Sequence, residues 1–221
     1  KEGKIMTFDE RVSKAIDIIY VNKEFNRAQE ALELLQSAAD EGDADAYYFL
    51  GRCYAGYEFR DERFNFEVDD AKTEECFNKC IEMGSAVGIL GVKRLRFEPA
   101  CGTFLMPPYN SFREVWDAVC RMALEGEVFC ELLIANAYYY GDAIELMEID
   151  MTGKNEAQVN DILRKMAFAA RDIYEDIYSK GMLMAYHNYK DLVLSGDYGM
   201  PITKDRYKWL KKLCAAQGIE I

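Results

Sequence analysis

The chain has 221 residues, half of them hydrophobic and 30% charged. That is enough apolar surface for one compact domain or a short repeat array, and too much for a disordered chain. Asp plus Glu is 39 and Lys plus Arg is 27, a net charge of −12, which repels phosphate backbones and anionic lipid and so excludes nucleic acid and membrane as expected partners.

Taken in order, Thr7-Phe8-Asp9-Glu10 has the form of a capping box, and Phe8, Val12, Ile16, Ile19 and Tyr20 form one stripe. The spacing predicts a first helix over 8–21 and a partner over 24–41. The partner ends in LLQSAADEG at Gly42, and DADAYYFLGRCYAG follows. Residues 57–68 are expected as a long loop. CFNKCIEMG then leads to Gly84. Segment 98–110 holds Pro99, Pro107 and Pro108 and is expected as a crossing loop. Ser111 and Glu114 form a second capping box, opening a helix to about Glu125. VCRMALEG ends at Gly126 and EVFCELLIANAYYYG follows. Segment 142–154 carries Asp142, Glu145, Glu148 and Asp150 and reads as a solvated acidic loop; a calcium site needs closer oxygen ligands and a glycine turn. Asn155 is placed to cap a long helix to Lys180, with Val159, Ile162, Met166, Ile173 and Ile177 at helical spacing. The last helix ends in LKKLCAAQG at Gly218. No run alternates with period two, so no strand is expected.

The glycines at 42, 84, 126, 181 and 218 are separated by 42, 42, 55 and 37 residues. Before each lies an apolar pair three and four residues back, such as Ala38/Ala39 and Cys80/Ile81. The glycine is then the residue past the helix end, where φ is positive. After Gly42 and Gly126 the pattern recurs at offsets 8, 9 and 12: Leu50 and Ile134, Gly51 and Ala135, Tyr54 and Tyr138. The small residue at offset 9 allows close helix approach. Each unit is a helix, a glycine turn and a second helix, and such pairs bury a continuous core only by stacking. The expected fold is all-α: one solenoid domain over 1–221. A leading pair spans 1–41, and the units are 42–84, 85–126, 127–181 and 182–218.

GDADAYYFLGRCYAG, FNKCIEMGSAVG and SGDYGMPITKDRYKWLKKLCAAQG resemble Sel-one-like repeats, relatives of the tetratricopeptide repeat. Ala46, Leu50, Gly51 and Tyr54 match the first-helix pattern; Gly196, Gly199, Trp209, Leu210 and Lys212 match much of the loop and second helix. Lys93 and Lys190 stand where the family has small residues. The disulfide that some bacterial members carry in every repeat has no counterpart in the cysteine spacing. The resemblance implies an α-solenoid of antiparallel helix pairs in a right-handed superhelix. It also implies a concave groove lined by the first helix of each pair. That groove would present Tyr48 and Arg52, Leu90 and Arg94, Leu132 and Asn136, and His187 and Asp191, with Tyr139, Tyr140 and Leu194 one turn on. These tyrosines either bind a partner or pack between repeats, and the sequence leaves both open.

Chemistry finds little purchase. His187 is the only histidine, one helical turn before Asp191, and no nucleophile motif accompanies it. Cys53, Cys76 and Cys80 could hold zinc, but Cys80 falls at a packing position of the repeat. No cofactor and no metal is expected. Seven irregularly spaced cysteines, no visible signal peptide and no run of ~20 apolar residues select a reducing, cytoplasmic setting. The expected function is a non-enzymatic scaffold binding a protein or peptide in its groove. Self-assembly through the apolar tail at Ile219 and Ile221, giving a weak homodimer, is the alternative, and a hydrolase using His187 is the third reading.

Overall fold

The computed structural model describes residues 7–55 and 61–221. Residues 57–60 of the expected loop 57–68 lie outside the described residues, as do residues 1–6. The described residues hold eleven α-helices and no strand. They are α1 (Glu10–Ile16), α2 (Ala28–Asp40), α3 (Ala44–Tyr54), α4 (Asp70–Glu82), α5 (Ala86–Lys93) and α6 (Phe112–Leu124). After these come α7 (Val128–Tyr140), α8 (Ala143–Leu146), α9 (Glu156–Ser179), α10 (Tyr186–Leu194) and α11 (Lys204–Ala216). Helices adjacent in sequence pack on one another, as α2 on α3, α3 on α4, α5 on α6 and α10 on α11. The chain gathers into two compact units, Lys1–Cys130 and Glu131–Ile221, with the boundary inside α7; the repeat spacing alone marks no such division. None of the described helices is long and apolar enough to cross a membrane.

The five repeat glycines all have positive φ, at 92°, 75°, 101°, 98° and 69° in chain order. Each closes the same turn. The N–H of the following residue donates to the carbonyl five residues back: Asp43 to Ala38, Ser85 to Cys80, Glu127 to Met122, Met182 to Ile177 and Ile219 to Cys214, all at 2.9–3.1 Å. This bond satisfies a carbonyl that the helix end would otherwise leave open. Asp43 and Ser85 then cap the next helix, accepting from the N–H groups of Ala46 and Gly88. Two successive residues thus stop one helix and start its partner. The small residue at offset 9 also acts as expected. A Cβ on Gly51 would lie 2.6 Å from two ring carbons of Phe77, so α3 and α4 meet there without a side chain between them.

Some expectations need correction. The first helix is capped by Asp9, whose carboxylate accepts from the Arg11 N–H, and Thr7 is exposed ahead of it. Its α-helical part stops at Ile16, and a π-helical turn continues over Asp17–Val21. Ile18, Ile19 and Tyr20 on this turn are all buried. The partner helix opens with a 3-10 turn, Phe25–Arg27, before α2. Ser111 caps α6, but the Glu114 carboxylate reaches past it to the Asn110 N–H at 2.7 Å. The acidic segment 142–154 contains α8, anchored by buried Ala143 and Leu146. The Asn155 cap forms the full box, with Gln158 bonding back to the Asn155 N–H.

The unit 1 core is aromatic. Phe49 packs against Phe129, Phe8 and Tyr48 with ring centroids 4.8, 5.5 and 5.2 Å apart. Cys53, Cys76 and Cys80 are buried here, none of them in a disulfide. Burial pushes the Cys76 thiol up to about 11, and the Cys80 thiol donates to the Phe77 carbonyl at 3.2 Å. Among the described residues no group of His, Cys, Asp or Glu is placed to hold a metal ion. In unit 2, Tyr174 stacks on Tyr178, and Tyr178 meets Tyr189 edge-on, at 5.8 and 5.4 Å. Tyr189 donates to Glu175, which also pairs with Arg206.

A tyrosine-lined cleft in the second unit

The expected groove residues have different fates. In unit 1, Tyr48 and Leu90 are buried in the core and Arg52 is only 7% exposed. The Arg52 Nε donates to Tyr20 Oη at 3.0 Å and Nη1 to Tyr48 Oη at 3.1 Å. Its guanidinium carbon lies 5.0, 5.3 and 5.6 Å from the ring centroids of Phe129, Tyr20 and Tyr48. A buried cation is tolerated only where fixed donors, acceptors and π-faces replace water, and these residues do so. The nearby charge and hydrogen bonds favour the phenolates of Tyr20 and Tyr48, but burial outweighs them and raises both phenols. Arg52 and Tyr48 therefore hold the fold together and offer no surface. Arg94 is half-buried at the end of α5.

In unit 2, Leu132 is buried. Asn136 faces inward and accepts from Tyr174 Oη at 2.7 Å and from Asn188 Nδ2 at 3.2 Å. The same Asn188 amide donates to Tyr174 Oη at 3.1 Å, and its carbonyl accepts from Tyr140 Oη at 3.2 Å. These four residues form a connected polar network joining α7, α9 and α10. His187 is exposed, its ring tilted at 40° against that of Tyr186, 4.0 Å between centroids. The His187–Asp191 pairing is not the contact formed; Asp191 Oδ2 accepts from Tyr139 Oη at 3.2 Å.

Tyr139, Tyr140 and Asp191 are the three expected groove residues that share a site. They line a cleft of about 340 Å³ with Tyr138, Gly141, Leu163, Ala167, Leu192, Ser195, Asp197 and Tyr198. The C-terminal end of α7 supplies the tyrosines. The end of α10 supplies Asp191 and Ser195, and the 3-10 turn Asp197–Gly199 supplies Asp197 and Tyr198. Ala167 and Leu192 are buried. Rings of Tyr139 and Tyr140 stand at 88° with centroids 4.7 Å apart. Tyr140 and Tyr198 are 55% and 47% exposed, unusual for large rings in a chain with such an aromatic core. Burial, then Asp191 beside it, pushes the Tyr139 phenol up to about 12. It therefore stays a neutral donor across the physiological range.

Sequence reasoning missed Asp197 and Tyr198. Their signal was Gly196 and Gly199 bracketing an aromatic residue, a turn that turns a ring outward. No known family model matches the chain, nor does any characterised protein or solved structure.

Proposed function

We propose that the chain is a non-enzymatic scaffold that binds a segment of a partner protein in the tyrosine-lined cleft of its second unit. The observation that carries this is the cleft itself: exposed tyrosine rings on its rim, with the Asn136–Tyr174–Asn188 network behind fixing one of them. Tyrosines give large contact area at low entropic cost and recur at binding hot spots. The cleft volume lies at the small end of the ~300–1,000 Å³ typical of ligand pockets, which suits one or two protein side chains. The same glycine turn made five times supports a helical-repeat scaffold of the α-solenoid kind, related to the Sel-one-like repeats that the sequence resembles. Buried thiols outside any disulfide agree with a reducing, cytoplasmic setting.

Affinity capture from source-cell lysate with wild type beside a Tyr140→Ala/Tyr198→Ala variant tests this. A protein retained by wild type and lost by the folded variant is the expected result; equal capture by both removes the cleft from the account. Self-association is the second reading, favoured by a separate hollow of about 430 Å³ formed by Lys211, Ala215, Gly218, Ile219, Glu220 and Ile221. Sedimentation at rising concentration separates the two, since a persistent monomer leaves only the cleft.

A further inference from the structure

We infer that the occupant of the cleft is a cationic side chain, a lysine or arginine carried by an extended basic segment of a partner protein. This rests on the binding role proposed above. The lining holds four tyrosines, two carboxylates and no lysine or arginine. A tyrosine face attracts an ammonium or guanidinium through its quadrupole, and a carboxylate attracts it through charge. Tyr139 and Tyr140 pack edge to face on one another, 4.7 Å between centroids, which holds the two rings in fixed orientation at the cleft. Tyr139 also fixes Asp191 by donating to Oδ2, and Oδ1 receives no protein donor among the described contacts.

The electrostatics agree with this chemistry. Asp191 and Asp197 both act against loss of the Tyr139 proton, so the site carries a negative field that repels an anion. An apolar occupant would cover the two carboxylates without compensating them, at a desolvation cost. Tyr140 and Tyr198 also keep large exposed ring surface at the cleft, contact area that a partner segment covers and a small free amine does not.

The test is a random-peptide display library panned on the full chain, with enriched peptides synthesised and titrated by calorimetry. Enriched sequences should centre on Arg or Lys. Replacing that residue with neutral citrulline or acetyl-lysine should weaken binding by ~10-fold or more, the scale of one charge-assisted contact. An Asp191→Asn/Asp197→Asn variant with an unchanged circular dichroism spectrum should lose a similar factor. Neutral or acidic peptides that bind wild type and are lost in Tyr140→Ala/Tyr198→Ala would overturn the cationic occupant and leave the binding role standing. Peptides that bind every variant equally, or no enrichment at all, would overturn both. Competition by free argininamide as strong as by the whole peptide would replace the partner segment with a small amine.

Discussion

Replacing Gly91 with alanine tests the contact between α5 and the Tyr48 side chain in the first unit. Gly91 lies in α5, and a Cβ added there runs into the Tyr48 hydroxyl, with ring carbons Cζ and Cε2 at 2.5 and 2.8 Å. Tyr48 is 1% exposed and its hydroxyl is held by Arg52 at 3.1 Å, so the ring cannot retreat without breaking that bond. Overpacking a core costs about 1–3 kcal/mol. Losing a hydrogen bond to a charged group costs about 1.5–3 kcal/mol, and the better helix propensity of alanine returns about 1 kcal/mol. The expected net destabilisation is about 2–4 kcal/mol. One tryptophan lies in each unit, Trp116 and Trp209, so urea unfolding in a Trp209→Phe background reports the first unit alone. At ordinary urea sensitivity the midpoint should fall by about 1 M or more. In a Tyr48→Phe background the ring is no longer tethered to Arg52, and the effect of Gly91→Ala should shrink by ~1–2 kcal/mol. A Gly91→Ala protein as stable as wild type, or more stable, would refute the close packing of α3 on α5.

Three further outcomes follow from the same structure. The Asp45 carboxyl accepts from Ser85 Oγ at 2.5 Å and is pushed up to about 6, chiefly by burial, with Asp43 and Glu127 adding to it. Its folded value lies above its unfolded one, so its contribution is complete below about pH 4 and is lost as pH rises through about 6. Asp45→Asn, which still accepts from Ser85, should therefore gain stability relative to wild type between pH 4 and pH 8 in urea titrations, by on the order of 2 kcal/mol; a pH-independent difference would contradict this. At Gly126, with φ 101° and open space around its Cα, alanine should cost about 1–2 kcal/mol from backbone strain alone, and a neutral result would show that the turn relaxes. In the second unit, Tyr178 Oη is buried with no hydrogen-bond partner among the described residues, whereas Tyr174 Oη sits in the Asn136–Asn188 network. Tyr178→Phe should be neutral or stabilising by up to about 1 kcal/mol and Tyr174→Phe destabilising by about 1–2 kcal/mol; Trp209 fluorescence in urea ranks them, and the reverse order would be inconsistent with the network.

The helix ends were legible because they depend on local chemistry. A glycine after an apolar pair fixes its own turn, as the five equivalent bonds from Asp43, Ser85, Glu127, Met182 and Ile219 show. Asn155 caps its helix as expected, and Gln158 completes a local box that the sequence reading did not name. The site was less legible because burial is decided by distant partners. Arg52 lies on the helix face expected to line a groove, yet Tyr20, Tyr48 and Phe129 enclose it in the core. Periodicity placed Tyr20 on the buried stripe, but it carries no information that the Tyr20 hydroxyl meets Arg52, 32 residues away. Tyr139 and Asp191 come together although 52 residues apart; helical register put each at the right level, but nothing in one sequence showed that they touch. Tyr198 depends on two glycines placing a non-glycine residue in a left-handed turn, a device outside the repeat pattern.

The most direct test of the central claim is tyrosine-ring NMR of the full chain as an enriched peptide is added. Saturable shifts are expected at Tyr139, Tyr140 and Tyr198, with the core rings of Tyr20 and Tyr48 unmoved. Saturable shifts confined to tyrosines outside the cleft, with those three unchanged, would contradict it.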